Sequence, residues 1–400
     1  MLLNFKISNY RSIKDIDVDF SFAEMKAPNR YKELSYHPFI GSDKVRVVPC
    51  LALYGANASG KSNVIMALKI FQRIVIESLS DEFYEPNILQ DCTDVISFQL
   101  SFYHEKKTFT YTLAYDSKQI VKELLECDHK KVFEITSSSH DFNNLNNFAY
   151  FPEKLEEIFN IEALDKNKLF KKPFLSILAK NYANLNEDIT LAHSDISEKL
   201  EIYSSNNLSF NFVINKITDI NNKKEVIKVF DWTVALLKKL DIGITKMEYD
   251  KNKFAIEDIN IYRLNYANEE IEMPFGSESF GVKKLISLLA LLLHILDNGL
   301  VLVIDELENS IHPLLLTKII RLFKDKRYNK NNAQLVFATH NTDVMDHELM
   351  RISEIGIINK TLKNGTTMVR VSDFEGVRNV TRFQKQYLAG QFTGIPYPYI

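Results

Sequence analysis

The first twenty residues alternate. LLNFKISNY and, after the turn RSIKD, IDVDFSF place apolar side chains near every second position, which predicts two short strands. Residues 24–44 are polar and predict a loop. The run VRVVPCLALYG at 45–55 is apolar and β-branched and ends in glycine, the pattern of a strand buried on both faces. The period then changes. Val64, Ala67, Leu68, Phe71 and Val75 fall three and four apart and predict a helix over 63–79. Alternation returns at 96–103, 108–115 and 120–126, separated by HEKK and DSKQ, as a three-strand antiparallel meander.

From 127 to 243 the chain is rich in Asn, Lys, Glu and Leu. Its helical patches, PEKLEEIFNIEAL and KKEVIKVFDWTVALLKKL, predict a mostly helical insertion, with Trp232 as a core residue. Strand patterns resume at 244–250, 254–259 and 261–267. A helix (282–296), a strand (300–304), a helix (314–325), a strand (334–339), a short helix (342–348) and a strand (354–358) follow. That alternation predicts a parallel sheet with right-handed crossovers. The expected organisation is an α/β fold in three parts: a first lobe (1–126), the insertion (127–243) and a second lobe (244–400).

Composition narrows the class. In 400 residues, 46% are hydrophobic and 25% charged, so the chain is globular rather than disordered. Lys+Arg number 49 against 52 Asp+Glu, a balance unlike that of a nucleic-acid coat protein. Cys50, Cys92 and Cys127 are far apart, which excludes a disulfide framework and a CxxC metal pair and fits a reducing compartment. The N-terminus turns polar within a few residues, and no apolar run reaches 18 residues, so neither a signal peptide nor a membrane span is expected. The expected location is the cytoplasm.

The chemistry is concentrated in a few segments. Gly55-Ala56-Asn57-Ala58-Ser59-Gly60-Lys61-Ser62 is a GxxxxGK[ST] loop between a predicted strand and a predicted helix. The glycines let backbone N–H groups face phosphate oxygens, and the helix N-terminus adds positive potential. Lys61 is placed to reach the β- and γ-phosphates, and the Ser62 hydroxyl to ligate Mg²⁺. Leu300 to Ile304 forms an apolar strand that delivers Asp305 and Glu306 to the sheet's ligand-binding edge. There Asp305 suits Mg²⁺ and Glu306 suits polarising a water. His340 ends the next strand and suits a hydrogen bond to the γ-phosphate. Glu278-Ser279-Phe280-Gly281 opens the helix leading into the acidic strand, where a hydroxyl, a glycine and a helix N-terminus suit a phosphate.

In this order, these marks resemble those of ABC-type ATPases of the SMC/RecF-like branch. Asn4 to Ser12 is similar to that branch's opening strand. More narrowly, Glu278-Ser279-x-Gly281, the run from Asp305 to Pro313 and the terminal YLAGQFTGIP at 387–396 resemble the AAA-type, RloA/abortive-infection (AbiL-like) ATP-binding proteins. The resemblance covers roughly 1–125 and 245–400. It implies a P-loop NTPase of ABC type with a mixed sheet. It implies two heads sandwiching ATP and Mg²⁺, as a homodimer or higher oligomer. Gly55 to Asn63 would cradle the nucleotide with Arg11 nearby. Ser279 and Gly281 of one copy would touch the γ-phosphate held by Lys61 of the other, with Asn309, Ser310 and His312 at the seam. Gln90 and Gln99 are both candidates for the glutamine that links Mg²⁺ to the lobes.

The signature departs from the transporter LSGGQ, and the insertion lacks long heptads, so neither a transporter nor an SMC-length coiled coil is expected. The sequence ends at Ile400, directly after the terminal motif, so no fused TOPRIM nuclease is expected. The resemblance implies the sensor or motor ATPase of a bacterial anti-phage system, acting with a separate effector, a nuclease or a toxin. The alternative is a RecF/SMC-like repair ATPase that binds DNA directly, with the charge runs 323–330 and 129–131 as the candidate contacts.

Overall fold

The structure, a computed structural model, describes the chain outside residues 23–38, 41–44, 89–93, 138–154, 156, 184–185, 206–207, 218–222, 250–258, 310, 362, 378–381 and 396–400. The 24–44 loop therefore lies almost wholly outside the described residues, as do Cys92, Gln90 and Ser310 and, apart from Ile259, the strand expected at 254–259.

The opening strands are β1 (Leu2–Tyr10) and β2 (Ile13–Asp19). Two short strands, β3 (Phe39–Ile40) and β4 (Val45–Arg46), precede β5 (Cys50–Tyr54). The expected 45–55 strand is thus split, and Pro49, which lacks the N–H a central ladder needs, lies in the break. Helix α1 (Lys61–Glu77) follows the P-loop. The meander is β6 (Ile96–His104), β7 (Lys107–Tyr115), β8 (Ile120–Cys127) and a fourth strand, β9 (Lys130–Thr136). The fourth strand corrects the reading of 127–243, whose first residues continue the meander.

Among the described residues, that region continues with a π-helical turn (Phe159–Ala163), α2 (Phe174–Asn181), α3 (Glu187–Ser197), β10 (Leu200–Ser204), α4 (Phe210–Ile217) and α5 (Lys223–Lys239). A separate three-stranded sheet, β11 (Ile244–Tyr249), β12 (Ile259–Leu264) and β13 (Glu270–Pro274), leads to α6 (Phe280–Asn298). The chain closes with β14 (Val301–Asp305), α7 (Pro313–Lys324), β15 (Gln334–Ala338), β16 (Ile355–Thr361), β17 (Gly365–Arg370) and α8 (Phe383–Leu388).

One sheet carries the molecule, in the order β10-β14-β15-β5-β16-β17-β2-β1-β6-β7-β8-β9. Strands β10, β14, β15, β5 and β16 are parallel neighbours. From β6 to β9 the pairing is antiparallel. The strand period divides the core. Leu51, Leu53, Val301, Val303 and Val336 join the α1 side, while Cys50, Ala52, Tyr54, Leu302, Ile304, Leu335 and Phe337 join the side of α6 and α7. A strand clamped between two such cores has no polar face, which explains the unbroken apolar runs. No helix among the described residues is long and apolar enough to cross a membrane.

Part of the charge run 323–330 is structural. Lys324 is buried with Glu354, Asn329 is buried, and Arg327 pairs with Asp325 at 2.6 Å. Lys131 pairs with Glu134 in the β8–β9 hairpin. Lys326, Arg327 and Lys330 in the first run, and His129, Lys130 and Lys131 in the second, remain exposed.

A buried carboxyl adds a pH dependence. Glu123 on β8 accepts from the backbone N–H groups of Phe174 and Leu175, both at 2.7 Å, and from the Tyr111 hydroxyl at 2.9 Å. Burial pushes its pKa up to about 7 against the pull of these donors. The raised value means the folded state holds the proton more tightly than the unfolded chain. This contribution is full below about pH 4.5 and is lost as pH rises through 7, up to about 3 kcal/mol. Urea unfolding midpoints are expected to fall between pH 5 and pH 8, and Glu123→Gln to flatten that slope. An unchanged slope in the variant would contradict the assignment.

Candidate nucleotide site

The P-loop joins β5 to α1 and closes against β16 and β17. A Cβ at Gly55 would lie 2.3 Å from the Ile358 carbonyl oxygen, so only glycine fits that approach. Gly60 takes a left-handed conformation (φ 108°), and a Cβ there would lie 2.4 Å from Thr366 Oγ1. Thr366 holds the loop from behind. Its hydroxyl donates to the Ser59 carbonyl at 3.0 Å and lies 2.7 Å from the Ser12 hydroxyl. Gly60→Ala combines backbone strain of about 1–3 kcal/mol with displacement of Thr366. The variant is expected to lower the urea midpoint and weaken ATP binding together, both measurable on one preparation. Wild-type values for both would contradict the bracing role of Thr366.

Helix α1 starts at Lys61 with no side-chain cap and no acid in its first turn. Its unpaired N–H groups and positive end therefore face the loop uncompensated, an anion cradle. Lys61 is 7% exposed, and its ammonium donates to the carbonyls of Gly55 at 2.9 Å and Ala56 at 3.0 Å. Burial lowers its pKa, and the acids Asp305, Glu308 and Glu306 counter this.

A cleft of about 570 Å³ opens in front of this cation. Asn57 to Asn63 form one wall, and Asp305, Glu306, Thr339, His340 and Lys360 line the rest. The fold accounts for the convergence. Strands β14, β15 and β16 lie in one parallel array with β5, so the residues at their carboxyl ends meet at one edge. Glu306 holds a left-handed backbone (φ 55°), a conformation costly for a side chain bearing a Cβ and typical of functional turns. The Glu308 carboxylate accepts from the His340 backbone N–H at 2.6 Å and so ties the turn after β14 to the turn after β15. Burial and the Lys61 charge lower the His340 pKa, so the imidazole is neutral at pH 7 and has one N–H to donate.

The donor set fits a nucleoside triphosphate and Mg²⁺. The loop, the helix end, Lys61 and Lys360 supply positive potential for phosphates, and Ser62 and Asp305 share the cleft as oxygen ligands of the kind Mg²⁺ takes.

Other expected site residues lie elsewhere. Arg11 is outside the cleft lining. It donates to Glu85 at 2.7 Å and reaches the Asn63 side-chain oxygen at 3.4 Å, so it meets the cleft through Asn63. Ser279 caps α6 by accepting from the Val282 N–H at 3.3 Å. Neither Ser279 nor Gly281 lines the cleft of its own chain. His312 caps α7, accepting from the Leu314 N–H. Gln99 donates to Thr112 within the meander and does not line the cleft.

Three supporting residues carried no sequence signal for their roles. Lys360 on β16 and Thr366 on β17 pair across the hairpin, of which β17 went unpredicted, and Glu308 was legible only as part of the acidic run. The terminal motif braces the site: the Tyr387 hydroxyl donates to the Gly394 carbonyl at 3.1 Å, and the Tyr387 ring lies 6.0 Å from that of Tyr54 on β5.

Among proteins of curated function, none matches the chain in sequence. Among solved structures, the SMC head domain from Thermotoga maritima is similar at 13% identity, with 92% of this chain and 98% of that one covered and a TM-score of 0.44. The Smc head domain with a coiled coil and joint from Pyrococcus yayanosii is similar at 8% identity, with 98% and 99% covered and a TM-score of 0.47. The family described as "AAA domain, putative AbiEii toxin, Type IV TA system" matches residues 50–346, more than half of the sequence. The chain belongs to that family of AAA-type P-loop proteins.

Proposed function

We propose that this protein binds and hydrolyses ATP with Mg²⁺, that two copies close around the nucleotide, and that the cycle drives an anti-phage, abortive-infection response through a separate effector. The observation that carries the catalytic part is the meeting of Lys61, Ser62, Asp305, Glu306 and His340 in one cleft.

The residues divide the work by chemistry. The P-loop N–H groups and Lys61 bind and orient the phosphates. Mg²⁺, when bound, neutralises charge on the β- and γ-phosphates. Glu306 accepts a proton from the attacking water as its oxygen bonds to the γ-phosphorus and the bond to the leaving ADP oxygen breaks. His340 donates its N–H to a γ-phosphate oxygen. Glu308 is a positioning residue, acting through the His340 backbone.

Pairing of two copies is supported by the position of Ser279 and Gly281. A hydroxyl, a glycine and the N-terminus of a 19-residue helix stand outside their own chain's cleft, available to a nucleotide held by another copy. A defence role is supported by the family description, which names a putative toxin and a toxin–antitoxin system; the separate effector rests on the resemblance to abortive-infection ATP-binding proteins.

The test is phosphate release from Mg·ATP, with and without duplex DNA, at about 50 and 200 mM salt. Turnover indifferent to DNA at both salts is expected. DNA-stimulated turnover that collapses at the higher salt would replace the effector reading with direct DNA repair.

A further inference from the structure

A second cavity, of about 410 Å³, lies where the start of α4 meets the first turns of α6. Leu208, Phe210, Phe275 and Phe280 give it an apolar wall, and Lys283 and Lys284 add charge. It shares no lining residue with the P-loop cleft. Its size is that of a small-ligand pocket.

Lys284 sets it apart. The side chain is 4% exposed, and its ammonium has no hydrogen-bond partner among the described residues. An ammonium buried in this way is costly unless something compensates it. Burial lowers its pKa, and Glu306 raises it through space without forming an ion pair. The neighbouring groups are committed elsewhere. Lys283 donates to the Gly276 carbonyl at 2.6 Å, and the Ser287 hydroxyl to the Lys283 carbonyl at 2.8 Å. Phe280 is 71% exposed although it lines the same cavity, so it offers an aromatic surface at the rim.

We propose that this cavity binds an amphipathic carboxylate, with the anionic head on Lys284 and an aromatic or branched aliphatic body against Phe210, Phe275 and Phe280. The wall carries two lysines, of which Lys284 alone lacks a hydrogen-bond partner, and its otherwise apolar lining suits a carboxylate with an apolar body better than a polyphosphate. This chemistry has two sources, a free organic acid or the C-terminal residue of another polypeptide. No step of hydrolysis runs through the cavity, although Phe280 lies between Ser279 and Gly281 at the proposed seam between copies and Lys284 feels the charge of Glu306.

Calorimetric titration of the full chain tests it. The probes are 4-phenylbutyrate, 4-phenylbutyramide and a tetrapeptide ending in Leu-Phe with a free or an amidated C-terminus. Each acid is expected to bind at least about tenfold more tightly than its amide, since a hydrogen bond to a charged group contributes that much or more. Lys284→Met and Lys284→Gln are each expected to abolish the preference, with cooperative thermal melting as the control for folding. Tighter binding of the peptide acid assigns the site to a partner's C-terminus, and tighter binding of phenylbutyrate assigns it to a small molecule. Equal affinity for acids and amides, no binding of any probe at millimolar concentration, or a preference that survives in a folded variant would overturn the proposal.

Discussion

Lys61→Ala is expected to weaken ATP binding by at least about 100-fold. The ammonium is the one cation of the loop held within the cradle itself, where burial has stripped much of its water. Its hydrogen bonds go to the carbonyls of Gly55 and Ala56. A triphosphate would exchange those neutral acceptors for charged ones. Two charge-assisted hydrogen bonds at about 1.5–3 kcal/mol each account for the loss. The alanine leaves Asp305 and Glu306 facing the phosphates without their counter-charge, which adds repulsion. Equilibrium binding of a fluorescent ATP analogue measures the effect. Affinity within a few-fold of wild type would place the nucleotide elsewhere.

Glu306→Gln is expected to do the opposite to binding and the same to turnover. Glutamine keeps the size of the side chain and the left-handed turn but cannot take a proton from water. Loss of a general base lowers kcat by about 10²–10⁴-fold. ATP affinity should hold or rise, because one negative charge leaves a cleft that receives phosphates. Single-turnover hydrolysis separates the two quantities. Wild-type kcat in this variant would assign the base to another group of the cleft.

The core of this site was legible because its chemistry is local in sequence. The P-loop is eight consecutive residues, and Asp305-Glu306 ends an apolar run too continuous to be anything but a doubly buried strand. The bracing was not legible. Thr366 acts on Ser59 from β17, 307 positions away. Strand β9 was missed because its hairpin turns on Asp128 and His129, both with positive φ (48° and 63°), at positions where the usual signal is Asn-Gly or Asp-Gly. Strand β10 was missed because five residues between helical patterns carry too little periodicity, and only pairing with β14 identifies them as sheet. The charge run at 323–330 was legible only in part: composition shows Lys324 as a charge, and only packing shows it buried against Glu354. Arg11 was placed near the nucleotide by resemblance, and its bonds to Glu85 and Asn63 give it a supporting position one residue removed from the cleft wall.

Two copies of Glu306→Gln are expected to close around ATP and stay closed. Native mass spectrometry of that variant, purified from its host with and without Mg·ATP, addresses this directly. The account predicts a dimer or larger assembly that appears only with Mg·ATP, carries one ATP per chain and retains a second polypeptide. A monomer under both conditions would contradict the shared site, and an ATP-bound assembly carrying nucleic acid and no second polypeptide would contradict the effector.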